Sequence, residues 1–123
     1  MKLALKSEDD IQRAVSEQWK WRGRADSIFA HIPNGGARNP VVGAQLRGQG
    51  VLAGMPDNFC LGDVPFFLEL KNPKFKNPIT NLSPEQREIM AKLQARNVLA
   101  YVSADLDEVI AILERHDVLR PAR

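Results

Sequence analysis

The fold is limited above all by two short apolar segments that lie close together in the chain. The segments DNFCL (57–61) and PFFLELK (65–71) have strand-like compositions, and the turn between them, around Gly62-Asp63, is short. Two strands joined by so short a turn form an antiparallel β-hairpin. Residues at the outer ends of the two strands, near 57 and 69, then lie almost opposite each other.

Charged side chains occupy these outer ends, although the residues around them are typical of a buried strand. Residues two apart in a strand project from the same face, so Glu69 and Lys71 stand side by side while Leu70 points away. Asp57 adds a second carboxylate. Carboxylates held close together repel each other unless a cation or a shared proton neutralises them. A compact cluster of oxygen ligands is what Mg²⁺ or Mn²⁺ requires, so the pattern indicates a metal site. The alternative is an ordinary ion pair between Glu69 and Lys71 on a half-exposed strand.

Helix and strand signals surround the hairpin. We predict a helix from Ser7 to about Trp21, a strand over 27–33, a helix over 82–97, a strand over 98–103 and a helix from Asp105 to about His116. The glycine-rich segment 34–50 is typical of a long, mobile connection, and 72–81 predicts a second loop. The order α-β-β-β-α-β-α predicts an α/β fold in which helices flank a mixed sheet.

Two further polar residues on the helices are candidates for the same site. Glu8 falls within the arc of Ile11 and Val15, the face of the first helix that packs on the sheet, so it can supply a third acid. Its alternative role is a favourable interaction with the helix dipole. Gln86 either completes a capping box with Ser83 or points towards the sheet, and the pattern leaves both interpretations open.

Size and composition set broader limits. The chain has 123 residues, enough for one domain over 1–123 with its own core, and a net charge of +2, too small to prove a nucleic-acid partner. Its single cysteine, Cys60, fits a reducing compartment. Nothing in the sequence predicts a signal peptide, a membrane span or a nucleotide cofactor. We therefore expect a cytoplasmic protein that is not secreted, from a bacterial or phage-infected host cell.

The motifs resemble a known family. Pro56-Asp57, a spacer and Glu69-Leu70-Lys71 resemble the PD-(D/E)XK nuclease signature. The segments SEDDIQ, HIPNGG, GQGVLAGMPD, FFLELK and LSPEQ occur in the order of the VRR-NUC domain, the virus-type replication-repair nuclease, and this resemblance runs from about residue 7 to residue 112. It implies a restriction-endonuclease-like α-β-β-β-α-β core. Asn58 and Asn97 are mild departures, where the family usually has an apolar residue and a glycine.

The resemblance also implies roles for individual residues. Asp57 and Glu69 would bind Mg²⁺ or Mn²⁺, with the backbone carbonyl of Leu70 as a further ligand. Lys71 would orient or activate the attacking water or stabilise charge on the phosphate. Glu8 would reach the metal, usually through water, and Gln86 would lie beside the site at the start of the second helix.

The implied function is that of a metal-dependent, structure-specific DNA endonuclease. Stand-alone members of the family resemble structure-specific DNA nucleases that form homodimers and cut branched DNA such as Holliday junctions. Two alternatives stay open: a DNA-binding or assembly module without turnover on a nuclease fold, and a nuclease that acts on RNA or linear DNA. Four basic residues in the two loops either contact DNA phosphates or are ordinary solvated surface: Arg38, Arg47, Lys74 and Lys76.

Overall fold

The computed structural model describes residues 5–33 and 39–122. In chain order, these residues form α1 (Glu8–Arg22), β1 (Ile28–His31), α2 (Pro40–Gly48), β2 (Asn58–Leu61), β3 (Pro65–Leu70), a short 3₁₀ helix (Pro78–Asn81), α3 (Pro84–Ala95), β4 (Leu99–Ser103) and α4 (Leu106–Arg115). No helix within the described residues combines the length and apolarity needed to cross a membrane.

The four strands form one mixed sheet in the order β1-β2-β3-β4. The pairs β1–β2 and β2–β3 are antiparallel, and β4 runs parallel to β3. The predicted hairpin is confirmed, because Asn58 of β2 pairs with Leu68 of β3. One step further along this register, Asp57 lies opposite Glu69. The hairpin therefore carries the two acidic residues to the same end of the sheet.

One face of the sheet packs on an apolar core, and the other face carries the charged residues Glu69 and Lys71. On one face, Phe66 and Leu68 of β3 are fully buried in a cluster with Ile11 and Val15 of α1 and with Leu113 of α4. Alternate residues of β3 point to the other face, where α3 packs beside β4. Glu69 and Lys71 thus face the N-terminal end of α3 rather than the apolar core.

Capping residues define the helix ends. The Ser7 hydroxyl accepts a hydrogen bond from the Asp10 amide at 3.1 Å, and the Ser83 hydroxyl accepts one from the Gln86 amide at 3.1 Å. Beyond α3, Asn97 adopts a left-handed conformation with φ of 60°, which stops the helix where a glycine is more usual.

The prediction of an irregular connection over 34–50 was wrong for residues 40–48, which form α2. The Asn39 side chain accepts a hydrogen bond from the Val42 amide at 2.8 Å, and Pro40 occupies the first turn. The glycine content of the segment obscured this Asn-Pro start signal. Residues 34–38, including Arg38, lie outside the described residues.

Candidate active site

All five residues predicted to carry chemistry lie around one cleft at the end of the hairpin. The cleft has a volume of about 360 Å³. Its lining includes Glu8 from α1, Asp57 before β2, Glu69 and Lys71 from β3 and its end, and Gln86 from α3. Three elements far apart in the chain therefore converge on one set of charged side chains.

Glu69 and Lys71 are buried rather than half-exposed. Glu69 is only 2% exposed and Lys71 only 8% exposed. The Lys71 Nζ atom lies 3.8 Å from Glu69 Oε2, close enough for charge attraction but too far for a good hydrogen bond. Removing two charged groups from water costs free energy that so long a contact does not fully offset. The expected ion pair is therefore present, but the expectation that it lies on a half-exposed strand is wrong, because both side chains are buried.

Gln86 joins these two side chains and caps α3 at the same time. Its Oε1 atom accepts a hydrogen bond from Lys71 Nζ at 2.9 Å and another from the Ser83 amide at 2.8 Å. Its Nε2 atom donates to Glu69 Oε2 at 3.0 Å. Both interpretations of Gln86 thus hold together, because the capping box orients the amide that contacts Glu69 and Lys71.

Asp57 is fixed by the neighbouring strand. Its Oδ2 atom accepts a hydrogen bond from the Leu70 amide at 2.7 Å, and its backbone carbonyl accepts one from the Ile32 amide at 2.6 Å. Burial raises the pKa of the Asp57 carboxyl, and the bond from Leu70 offsets part of this effect. Asp57 is therefore held rigidly by backbone groups, although its surroundings disfavour a negative charge.

Glu69 has one carboxylate oxygen that its neighbours leave unsatisfied. Among the described residues, Oε1 is buried and has no hydrogen-bond partner. Burial, followed by the nearby negative charge of Asp57, raises the pKa of Glu69 to about 8, although Lys71 acts in the opposite direction. The side chains of Asp57 and Glu69 are close enough to share a proton, and a bound cation would neutralise the pair in the same way.

Glu8 lies at the mouth of the cleft, in the first turn of α1. Partial burial and then the negative charge of Asp57 raise the pKa of Glu8, which indicates that the two carboxylates sense each other. Within the described residues, no three His, Cys, Asp or Glu side chains are close enough to bind one ion together. Direct ligation would therefore fall to Asp57 and Glu69, with Glu8 placed to act through water. This all-oxygen set fits Mg²⁺ or Mn²⁺.

Gly54 explains how the segment before Asp57 reaches α3. It has φ of 90°, and a Cβ atom there would lie 2.5 Å from the backbone carbonyl of Glu85. Only glycine accommodates both this conformation and so close an approach. The Gly-Met-Pro-Asp segment therefore packs directly on the first turn of α3, which brings Asp57 and Gln86 to the same cleft.

The sequence interpretation missed a buried contact next to the site. Asn58 is fully buried, and its side chain forms two hydrogen bonds with that of Gln12 on α1. The signal was present, since an asparagine in an apolar strand needs a partner when it is buried. The sequence alone did not indicate which side chain would pair with Asn58.

Three of the four predicted DNA contacts lie in the described residues, and none of these three lines the cleft. Arg47 on α2, and Lys74 and Lys76 in the loop after β3, are exposed. The Lys74 ammonium lies 5.3 Å from the centre of the Phe75 ring. The two lysines follow Lys71 by three and five residues in the chain, and their role in binding phosphate stays a prediction.

The topology and the site together define an α/β restriction-endonuclease-like fold. Among solved structures, the chain is similar to a VRR_NUC domain protein, with a TM-score of 0.63 and 23% sequence identity over 89% of this chain and 87% of that chain. No family model matches the sequence. No curated protein matches it either. The resemblance to the VRR-NUC domain is therefore confirmed as a shared fold.

The raised pKa of Glu69 predicts how stability depends on pH. In the folded protein this pKa is raised from 4.5 to about 8, so between these values the folded state binds more protons than the unfolded state. The free energy of unfolding of the metal-free protein should therefore fall as the pH rises through this range. Urea unfolding with EDTA, at the two ends of the range, measures the change.

Two variants make this measurement specific to Glu69. Glu69→Gln should flatten the pH dependence, because glutamine cannot titrate. Glu88→Gln is the matched control, since Glu88 is exposed and pairs with Lys92 one turn away on α3. A slope that Glu69→Gln leaves unchanged would show that another group is responsible.

Proposed function

We propose that this chain is a metal-dependent, structure-specific DNA endonuclease of the VRR-NUC type, which hydrolyses phosphodiester bonds. The observation that carries the proposal is the buried, unsatisfied Oε1 atom of Glu69, which lies beside Asp57 and Lys71. A carboxylate pair with an adjacent lysine, on the fold of a VRR_NUC domain protein, supports phosphodiester hydrolysis over a purely structural role.

The proposed metal ligands are the oxygen atoms at the end of the hairpin. Asp57 and Glu69 would hold Mg²⁺ or Mn²⁺ with the Leu70 backbone carbonyl, and Glu8 would contribute through water. When bound, the ion would lower the pKa of a water molecule and offset negative charge on the phosphate. The hydrogen bond from Gln86 to Glu69 Oε2 fixes that carboxylate while leaving Oε1 for the cation.

Lys71 would act on the charge that develops at the phosphate. Gln86 holds its ammonium group at the wall of the cleft, where little water competes for it. A positive charge fixed there before reaction stabilises a developing negative charge without reorganisation. The same ammonium group can orient the attacking water, so Lys71 is the residue whose removal should abolish turnover while sparing the fold's apolar core.

The proposed substrate is DNA recognised by backbone and shape. The sequence carries no helix-turn-helix or zinc finger that would contact base edges. Arg38, Arg47, Lys74 and Lys76 are the proposed phosphate contacts, which determine position rather than sequence. We place branched DNA, such as Holliday junctions, first among the substrates. Paired cuts in a junction require two active sites, which a C2 homodimer supplies.

Cleavage is tested directly with labelled four-way, flap, single-stranded and duplex DNA. We expect cutting of branched DNA with Mg²⁺ or Mn²⁺ and none with EDTA. Glu69→Ala should lower the rate at least about 100-fold, because it removes a metal ligand. Glu88→Ala, on the exposed face of α3, should cut like the unmodified chain.

The same assay distinguishes the proposed function from the alternative substrates and from a non-catalytic role. Preferential cutting of linear duplex, or of RNA added to the panel, would overturn the branched-DNA assignment while retaining the chemistry. DNA binding without metal-dependent cutting of any substrate, unchanged in Asp57→Asn, would overturn the nuclease proposal and favour a binding module.

The basic loop is tested by the salt dependence of binding. We expect Lys74→Ala/Lys76→Ala to weaken DNA binding and to reduce the slope of log K against log salt by about 1 for each lost phosphate contact. Fluorescence anisotropy with Ca²⁺ in place of Mg²⁺ measures binding without cutting. Lys92→Ala, an exposed lysine on α3, is the control. An unchanged slope in the double variant would mean that the loop does not contact phosphate.

The proposed homodimer is tested by size-exclusion chromatography with light scattering. At micromolar concentration and with metal present, we expect a mass near twice the 13.8 kDa of one chain. A monomer under these conditions, still a monomer on addition of a four-way junction, would contradict the paired-site arrangement.

A further inference from the structure

We infer that Gln12 and Asn58 are positioning residues that set the distance between Glu8 and Asp57 and thereby the affinity for the metal. The inference rests on the proposed function, because it concerns the same cleft. Neither side chain lines that cleft. They would act by fixing where Glu8, one turn away along α1, stands relative to Asp57, which backbone groups already hold.

The contact between the two residues is a reciprocal pair of amides. Gln12 Nε2 donates to Asn58 Oδ1 at 2.8 Å, and Asn58 Nδ2 donates to Gln12 Oε1 at 3.1 Å. A longer contact of 3.5 Å joins Asn58 Nδ2 to the Leu68 carbonyl. Both bonds of the amide pair form only when the two groups are coplanar and in register, so the pair specifies one relative position of α1 and β2.

The apolar packing of α1 does not specify that position as sharply. Ile11 and Val15 bury area against the sheet, but apolar burial is not directional. The polar contacts of α1 elsewhere in the fold lie near its C-terminal end, where Trp19 donates to the Ser27 hydroxyl at 3.0 Å. In the part of the chain that the structure describes, the Gln12–Asn58 pair is thus the directional tie of the N-terminal half of α1 to the sheet.

The placement of the pair links it to the cleft. Glu8 lies four residues before Gln12, which puts it one turn away on the same side of α1. Asp57 directly precedes Asn58. A slip of α1 by one residue would move Glu8 by about 1.5 Å along the helix axis. Groups in a metal or catalytic site must be held within about 0.5 Å, so a slip of this size would remove Glu8 from its working position.

The test compares metal binding with stability in the double variant Gln12→Met/Asn58→Leu. Replacing both amides by apolar groups of similar shape leaves neither amide unpaired and removes only the long contact to the Leu68 carbonyl, so the variant should keep its urea midpoint close to that of the unmodified chain. Its affinity for Mn²⁺ should nevertheless fall at least about 10-fold, as is typical when residues that orient metal ligands are lost. Electron paramagnetic resonance of free Mn²⁺, without DNA, measures this affinity.

Two further variants separate positioning from a general loss of structure. In a Glu8→Gln background the double substitution should weaken Mn²⁺ binding no further, because the pair acts through Glu8. Trp19→Phe, which removes a polar contact at the other end of α1, should leave the Mn²⁺ affinity unchanged. An equal loss in the Glu8→Gln background, or a comparable loss in Trp19→Phe, would overturn the inference.

The outcomes distinguish this inference from the proposed function. If the unmodified chain binds no Mn²⁺, the proposed function fails, and the inference fails with it. If the unmodified chain binds Mn²⁺ and the folded double variant binds it equally well, the inference alone is overturned. Should the double variant not fold, Gln12→Met replaces it, since Asn58 keeps its contact with Leu68. An unchanged affinity in that variant would overturn the inference in the same way.

Discussion

Two carboxylates lie at one end of a largely buried hairpin, and several surrounding groups form contacts that keep them together. The antiparallel register makes Asp57 and Glu69 face each other, and burial removes the water that would screen their repulsion. The Leu70 amide, the Gln86 amide and the Lys71 ammonium group each offset part of this cost. None of them satisfies Glu69 Oε1, so the remaining imbalance lies at the atom that the proposed cation would contact.

The groups that balance this cost also perform ordinary structural tasks. Gln86 is the N3 residue of a helix cap, and Gly54 allows the loop before β2 to approach the α3 backbone. Because these residues are needed for the local fold, their geometry is fixed before any ligand binds. This is the physical meaning of a preorganised site: folding, rather than binding, has already ordered the groups that would hold the ion.

The sequence predicts those parts of the structure that depend on local rules. Strand alternation and a short turn placed Asp57 opposite Glu69, and the residue order predicted helices that begin near Ser7 and near residue 82. The helix α2 was missed because glycine content obscured its Asn-Pro start. The Gln12–Asn58 pair was missed for a different reason. The two residues are 46 positions apart, and no local rule states which amide meets which.

Hydrogen bonds of side chains hold the groups around the cleft, whereas the core is held by apolar contacts. The core formed by α1, α4 and the sheet is largely apolar, and the burial of apolar area does not depend on the direction of a contact. Near the cleft, where shifts of a fraction of an ångström change ligand geometry, hydrogen bonds replace apolar contacts. An ion bound at Asp57 and Glu69 would remove the charge imbalance that these bonds leave, and its binding energy would add to the free energy of unfolding. Folding and metal binding would then be two aspects of one equilibrium at this end of the sheet.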